Sequence, residues 1–128
     1  MGRLGRYDEA VLCFDKAIEL DHNAEAWNNK GAALGKLGRY DEAMVCFGWA
    51  IEKDPLQSEV WYNKGEALRR QDKYAEAIQQ FDKAIEIDPA YSKAWNSKGL
   101  ALKALGRDAE ADVAFAEGAA REGQYVNS

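Results

Sequence analysis

Residues 27–55 read WNNKGAALGKLGRYDEAMVCFGWAIEKDP, and the rest of the chain repeats that pattern in one frame. Trp27 returns as Trp61 and Trp95, each 34 residues on, with Gly31, Gly65 and Gly99 in step. Phe47, Phe81 and Phe115 keep the same interval, as do Ala43, Ala77 and Ala111, while Tyr40 pairs with Tyr74 and Pro55 with Pro89. At about 100° per residue, Trp27, Gly31 and Leu34 share one arc of a helix, and Ala43, Phe47, Ala50 and Ile51 share an arc of the next. The pattern therefore predicts helix pairs packed face to face. Gly31, Ala43 and Ala50 allow close backbone approach, and Trp27 and Phe47 fill the space that remains. Gly38 supplies the end of the first helix and Asp54-Pro55 stops the second.

A helix-turn-helix unit of 34 residues with Trp and Gly on its first helix, then Ala, Phe and Pro, resembles the tetratricopeptide repeat. The resemblance covers nearly the whole chain. Leu34, Leu68 and Leu102 replace the first signature Tyr, and Lys30, Lys64 and Lys98 replace its Leu. A lysine stem can lie along apolar surface with its ammonium in water, so neither change threatens the fold. The resemblance implies an all-α solenoid of antiparallel helix pairs, a right-handed superhelix of about seven helices. The frame divides the chain into a half repeat over 1–23 with only its second helix, full repeats over 24–57 and 58–91, and a degenerate repeat over 92–125. The connection after the half repeat is one residue shorter, with His22 where later repeats carry proline. In the last repeat Asp108, Asp112, Gly118 and Gly123 displace the tyrosine, an apolar residue, the alanine and the proline. This predicts a frayed or unusually polar final helix.

Composition narrows the function. The 17 basic and 22 acidic residues leave a net charge of −5, which repels polyphosphate and argues against nucleic-acid binding. No apolar run is long enough for a membrane span, and Met1 to Tyr7 lacks the apolar core of a signal peptide. Cys13 and Cys46 lack metal-site spacing and occupy equivalent positions on successive second helices, which predicts packing thiols rather than a redox pair and a reduced, cytoplasmic setting. No metal or cofactor is expected. Catalysis fails on inventory: the sole histidine, His22, falls in a turn, and no nucleophile, phosphate-loop or zinc-protease motif is present. Carboxylate pairs such as Asp41-Glu42 suit the first turn of a helix, where negative charge is favoured.

The expected activity is therefore protein binding. In such a solenoid the first helix of each repeat lines the concave side. Opposite the Trp/Gly/Leu arc lie Glu25, Asn28, Asn29, Ala32 and Lys36. The next repeat offers Glu59, Tyr62, Asn63, Glu66, Arg69 and Arg70, and the third Lys93, Asn96, Ser97, Leu100 and Lys103. Asn29, Asn63 and Ser97 are equivalent, and an amide both donates to and accepts from an extended peptide backbone. The family resemblance implies the same role for these asparagines. Relatives that grip an acidic chaperone C-terminus use a two-carboxylate clamp, of which only Asn63 and Lys93 are present here. Lys36, Arg69, Arg70 and Lys103 line up as a basic strip, suited to an acidic segment or to the helix dipole alone.

A second surface lies on the outer helices, where Leu12, Val45 and Trp49 stand at positions expected to be charged. Trp49 either forms a convex contact site or folds over a neighbouring helix. The half repeat leaves Val11, Phe14 and Ile18 uncovered, which makes pairing with a second copy, by end-to-end stacking or helix exchange, the alternative to peptide capture. A fragment of a longer repeat protein fits the same abrupt start.

Overall fold

Asn23 opens the first helix: its Oδ1 accepts from the Ala26 N–H at 2.7 Å and satisfies one of the free donors of the first turn. The computed structural model describes Asp15 and residues 23–127. Among the described residues there are six helices, α1 (Ala24–Lys36), α2 (Tyr40–Lys53), α3 (Ser58–Arg70), α4 (Tyr74–Ile87), α5 (Ser92–Ala104) and α6 (Asp108–Asn127), with no strand. Asp15 is also helical. The expectations for Val11, Leu12, Cys13, Phe14, Ile18 and His22 lie outside the described residues.

Each first helix ends the same way. The Arg39, Lys73 and Arg107 N–H groups donate back to the Leu34, Leu68 and Leu102 carbonyls at 2.9, 3.0 and 2.9 Å. This closure needs a left-handed residue just before it, which Gly38 and Gly106 supply at φ 79°. The middle repeat has Asp72 there at φ 61°, and its Oδ1 accepts from the Tyr74 hydroxyl at 2.8 Å. The second helices stop at Asp54 and Asp88, whose carboxylates accept the Leu56 and Ala90 N–H groups across the proline. Trp61 and Trp95 then donate their indole N–H to the Pro55 and Pro89 carbonyls, both at 2.9 Å. That bond ties the start of each following helix to the turn before it.

Within each pair the packing is set by one contact. A Cβ on Gly31, Gly65 or Gly99 would lie 2.6, 2.5 or 2.6 Å from a ring carbon of Phe47, Phe81 or Phe115. The phenyl ring rests directly on glycine backbone, and Phe47 and Phe81 are fully buried. Ala43, Ala50, Ala77 and Ala84 are also fully buried and keep the helices close. Burial of one such phenyl contributes about 2–3 kcal/mol.

Curvature follows from which helices touch. α1 packs against α3, and α3 against α5, whereas α2 and α4 do not touch one another, nor do α4 and α6. The first helices therefore lie on the inside of the bend.

The final helix departs from the expectation of fraying. α6 is one continuous helix of 20 residues that runs through Gly118 and past the expected repeat end at 125. Its equivalents of Asp54 and Pro55 are Glu122 and Gly123, so the proline that stops earlier second helices is missing. Gly118 also has a partner: the Asn96 amide occupies the place its Cβ would take, where Ala50 and Ala84 stand in earlier repeats.

Two alanine substitutions should act in opposite directions in urea unfolding. Gly65→Ala drives a methyl into Phe81 and should destabilise by about 1–3 kcal/mol despite better helix propensity. Gly48→Ala, where an added Cβ meets nothing within 4 Å, should stabilise by about 0.5–1 kcal/mol.

Candidate functional site

The inner face formed by α1, α3 and α5 holds a pocket of about 120 Å³ between α1 and α3. Ala32, Gly35 and Lys36 of α1, Phe47 of α2, and Tyr62, Asn63, Glu66, Ala67 and Arg70 of α3 line it. The small side chains of Ala32, Gly35 and Ala67 leave room there.

Asn63 is held in place. Its Nδ2 donates to Oδ1 of Asn28 at 2.9 Å, and Asn28 is itself buried. The pair bridges α1 and α3 and leaves Asn63 Oδ1 and its second amide hydrogen for another group. Asn28 thus differs from its expected place on the open groove surface: it supports Asn63 from beneath. Ser97 is likewise buried, and its hydroxyl lies against Glu66 and Tyr62. Of the three equivalent polar positions, Asn63 is anchored, Asn29 is half-buried, and Ser97 is beneath the surface. Asn96, also expected in the groove, turns its amide onto Gly118 of α6, because the bare backbone there offers it a niche.

Charge on this face includes one tight pair and several exposed cations. Arg69 clasps Glu66 with two bonds of 2.9 and 3.0 Å. Burial pushes the Glu66 carboxyl up, but the Arg69 fork, with the Ser97 hydroxyl and Arg70, outweighs it and holds the carboxyl below its ordinary value. Tyr62 is raised by burial and by Glu66. Its ring packs 5.3 Å from Tyr91 and 6.0 Å from Phe81, and burial pushes the Tyr91 hydroxyl well up. Lys36, Arg70, Lys93 and Lys103 remain exposed and make no ion pair among the described residues.

On the outer side a device emerges that the sequence pattern did not show. Lys30, Lys64 and Lys98 each hold their ammonium over the tryptophan one turn earlier, at 5.7, 5.8 and 5.6 Å from the ring centroid. A second residue covers each ring from the neighbouring helix: Trp49 stacks on Trp27 at 5.9 Å, Lys83 lies over Trp61 and Arg121 over Trp95. Trp49 folds onto α1 through this stack and is 45% exposed beside Val45 at 59%. Cys46 is buried and unpaired, and burial pushes its thiol up. No cluster of metal-ligating side chains occurs among the described residues, and no described helix is long and apolar enough to cross a membrane.

Three family models match in sequence: a TPR repeat over residues 3–38 and tetratricopeptide repeats over 33–92 and 81–112. The chain is a tetratricopeptide repeat protein. Comparison with curated protein sequences gives no match. Among solved structures, MamA superposes with a TM-score of 0.86 at 24% identity, covering 95% of this chain and 72% of that one, and establishes the fold. The first TPR of Spaghetti (RPAP3), bound to the HSP90 peptide SRMEEVD, has a TM-score of 0.76 at 29% identity over 79% of this chain and 80% of that one. The second TPR of the same protein, bound to the same peptide, gives 0.73 at 29% identity, with 80% and 95% covered. The chain thus has the tetratricopeptide fold, that of a protein-interaction scaffold.

The lowered Glu66 carboxyl fixes a pH dependence. Its contribution to stability is fully present above the ordinary value of 4.5 and is lost as pH falls through the lower folded value. Glu66→Gln should therefore be less stable than wild type at neutral pH and converge with it in acid, as followed by urea unfolding at a series of pH values.

Proposed function

We propose that the chain is a non-catalytic scaffold that captures an extended peptide of a partner protein across α1, α3 and α5. The observation that carries this reading is the Asn63 amide, fixed from below by Asn28 and presented at the wall of an inner-face pocket. A fixed amide contacts peptide backbone without paying again for its own ordering. Asn29, Tyr62 and Glu66 lie along the same face, and the exposed cations Lys36, Arg70, Lys93 and Lys103 favour acidic side chains in the bound segment. Arg69 is committed to Glu66 and acts by shaping the wall.

The Spaghetti repeats are bound to the HSP90 peptide SRMEEVD, and a two-carboxylate clamp for such an acidic segment fits this chain poorly. Asn28 and Ala32 occupy the places where a two-carboxylate clamp needs Lys and Asn, and buried Ser97 stands in place of its Arg. Pairing with a second copy remains the alternative reading, resting on the apolar positions Val11, Phe14 and Ile18 of the sequence.

Short peptides with capped ends, arrayed and screened against the purified protein, test the proposal. Binders should weaken about tenfold on Asn63→Ala, the scale of one lost well-formed polar contact, and weaken similarly on Asn28→Ala through loss of the support. SRMEEVD should bind no better than its scrambled sequence. Peptides that bind wild type and both variants equally would remove the groove reading.

A further inference from the structure

Every junction between repeats places one residue of a second helix opposite the lysine of the next first helix. At the first junction Asp15 meets Lys30 at 2.6 Å, and at the third Asp82 meets Lys98 at 2.7 Å. The middle junction breaks the series, because Gly48 stands where the aspartate belongs. Lys64, the equivalent lysine, makes no ion pair among the described residues. Its ammonium lies 5.8 Å from the Trp61 ring centroid, and Lys83 approaches that ring to 5.8 Å as well. Two cations thus share one ring, and the nearest carboxylate to Lys83 is Glu86 at 3.9 Å.

Packing within the chain does not account for Gly48. An added Cβ would meet nothing within 4 Å, and glycine in a helix interior is the least favourable residue after proline. Around it the surface turns apolar. Val45, one turn earlier, is 59% exposed, and the adjoining Trp49 is 45% exposed. These two, with Trp27, Lys30, Leu34, Glu42 and Cys46, line a hollow of about 310 Å³ between α1 and α2, next to Gly48 in sequence and apart from Lys64.

We infer that the convex junction between α2 and α3 is a second docking site. It takes a segment of a partner protein that crosses α2 at the bare Gly48, placing an Asp or Glu carboxylate opposite Lys64 on one side and a large apolar side chain against Val45 and Trp49 on the other. The two intact junctions are the template for the ligand: the same lysine, in the same setting, already holds a carboxylate there. The glycine leaves the approach open for one supplied from outside, with the apolar rim adding contact area. The site faces away from the groove and does not depend on peptide capture there.

Panning a phage-displayed random peptide library on the wild-type protein tests this. Recovered sequences should carry Asp or Glu next to Trp, Phe or Leu. They should bind Gly48→Asp at least about tenfold more weakly, because the new carboxylate occupies Lys64 from within. Lys64→Glu should instead select Lys or Arg at the acidic place, a reversal that loss of folding cannot produce. Circular dichroism should show full helix content for both variants, and Asn63→Ala should retain the binding. The inference is overturned by recovered peptides without acidic enrichment, by undiminished binding to Gly48→Asp, or by binding that Asn63→Ala abolishes. Light scattering in which wild type self-associates and Gly48→Asp does not would make a second copy the occupant and overturn it equally.

Discussion

The contact on which everything else rests is a phenyl ring lying on bare backbone. Gly31, Gly65 and Gly99 carry no side chain because Phe47, Phe81 and Phe115 occupy that space. The ring fixes the distance between the two helices of a repeat and their rotation about each other. Once that rotation is fixed, the tryptophans face the outer helices, and the opposite face of each first helix is left over. The polar inner surface is what remains after the apolar arc has been spent on the pair.

Inside and outside of the bend are consequently built on different chemistry. Inside, the first helices touch directly, one amide bond from Asn63 to Asn28 joins α3 to α1, and Arg69 clasps Glu66 within α3, so these groups are held in position. Outside, the gap between successive second helices is bridged by lysines that reach over tryptophan rings toward a carboxylate on the preceding repeat. At the middle junction that carboxylate is replaced by Gly48.

How much of this could be read from the chain follows from the range of each interaction. Trp27, Gly31, Phe47 and Pro55 recur at one interval, so the helix pairs, their turns and the facing arcs were legible residue by residue. Lys36, Tyr62, Asn63, Glu66 and Arg70 were also placed on one surface by helical phase, and they line the pocket. What helical phase cannot convey is the offset between neighbouring helices. The Asn28–Asn63 bond joins residues 35 apart, one step outside the repeat interval, and so it escaped a comparison of equivalent positions. Asn96 on Gly118 escaped for a related reason, since the glycine read as decay of the pattern until its neighbour was seen to use the space. The persistence of α6 shows local propensity yielding to packing: Ala111 and Ala114 are buried against the preceding pair and carry the helix through glycine.

Among the described residues no helix touches any other beyond the second along the chain. Such a molecule behaves less like a globule than like a short coil spring, with one stiff joint in each repeat and softer links between them. Tension on its ends would be shared along a series of joints with no single lock to break, and the Asn28–Asn63 bond lies across one of the softer links. The spacing of the inner face is therefore coupled to whatever pulls on or braces the outer side.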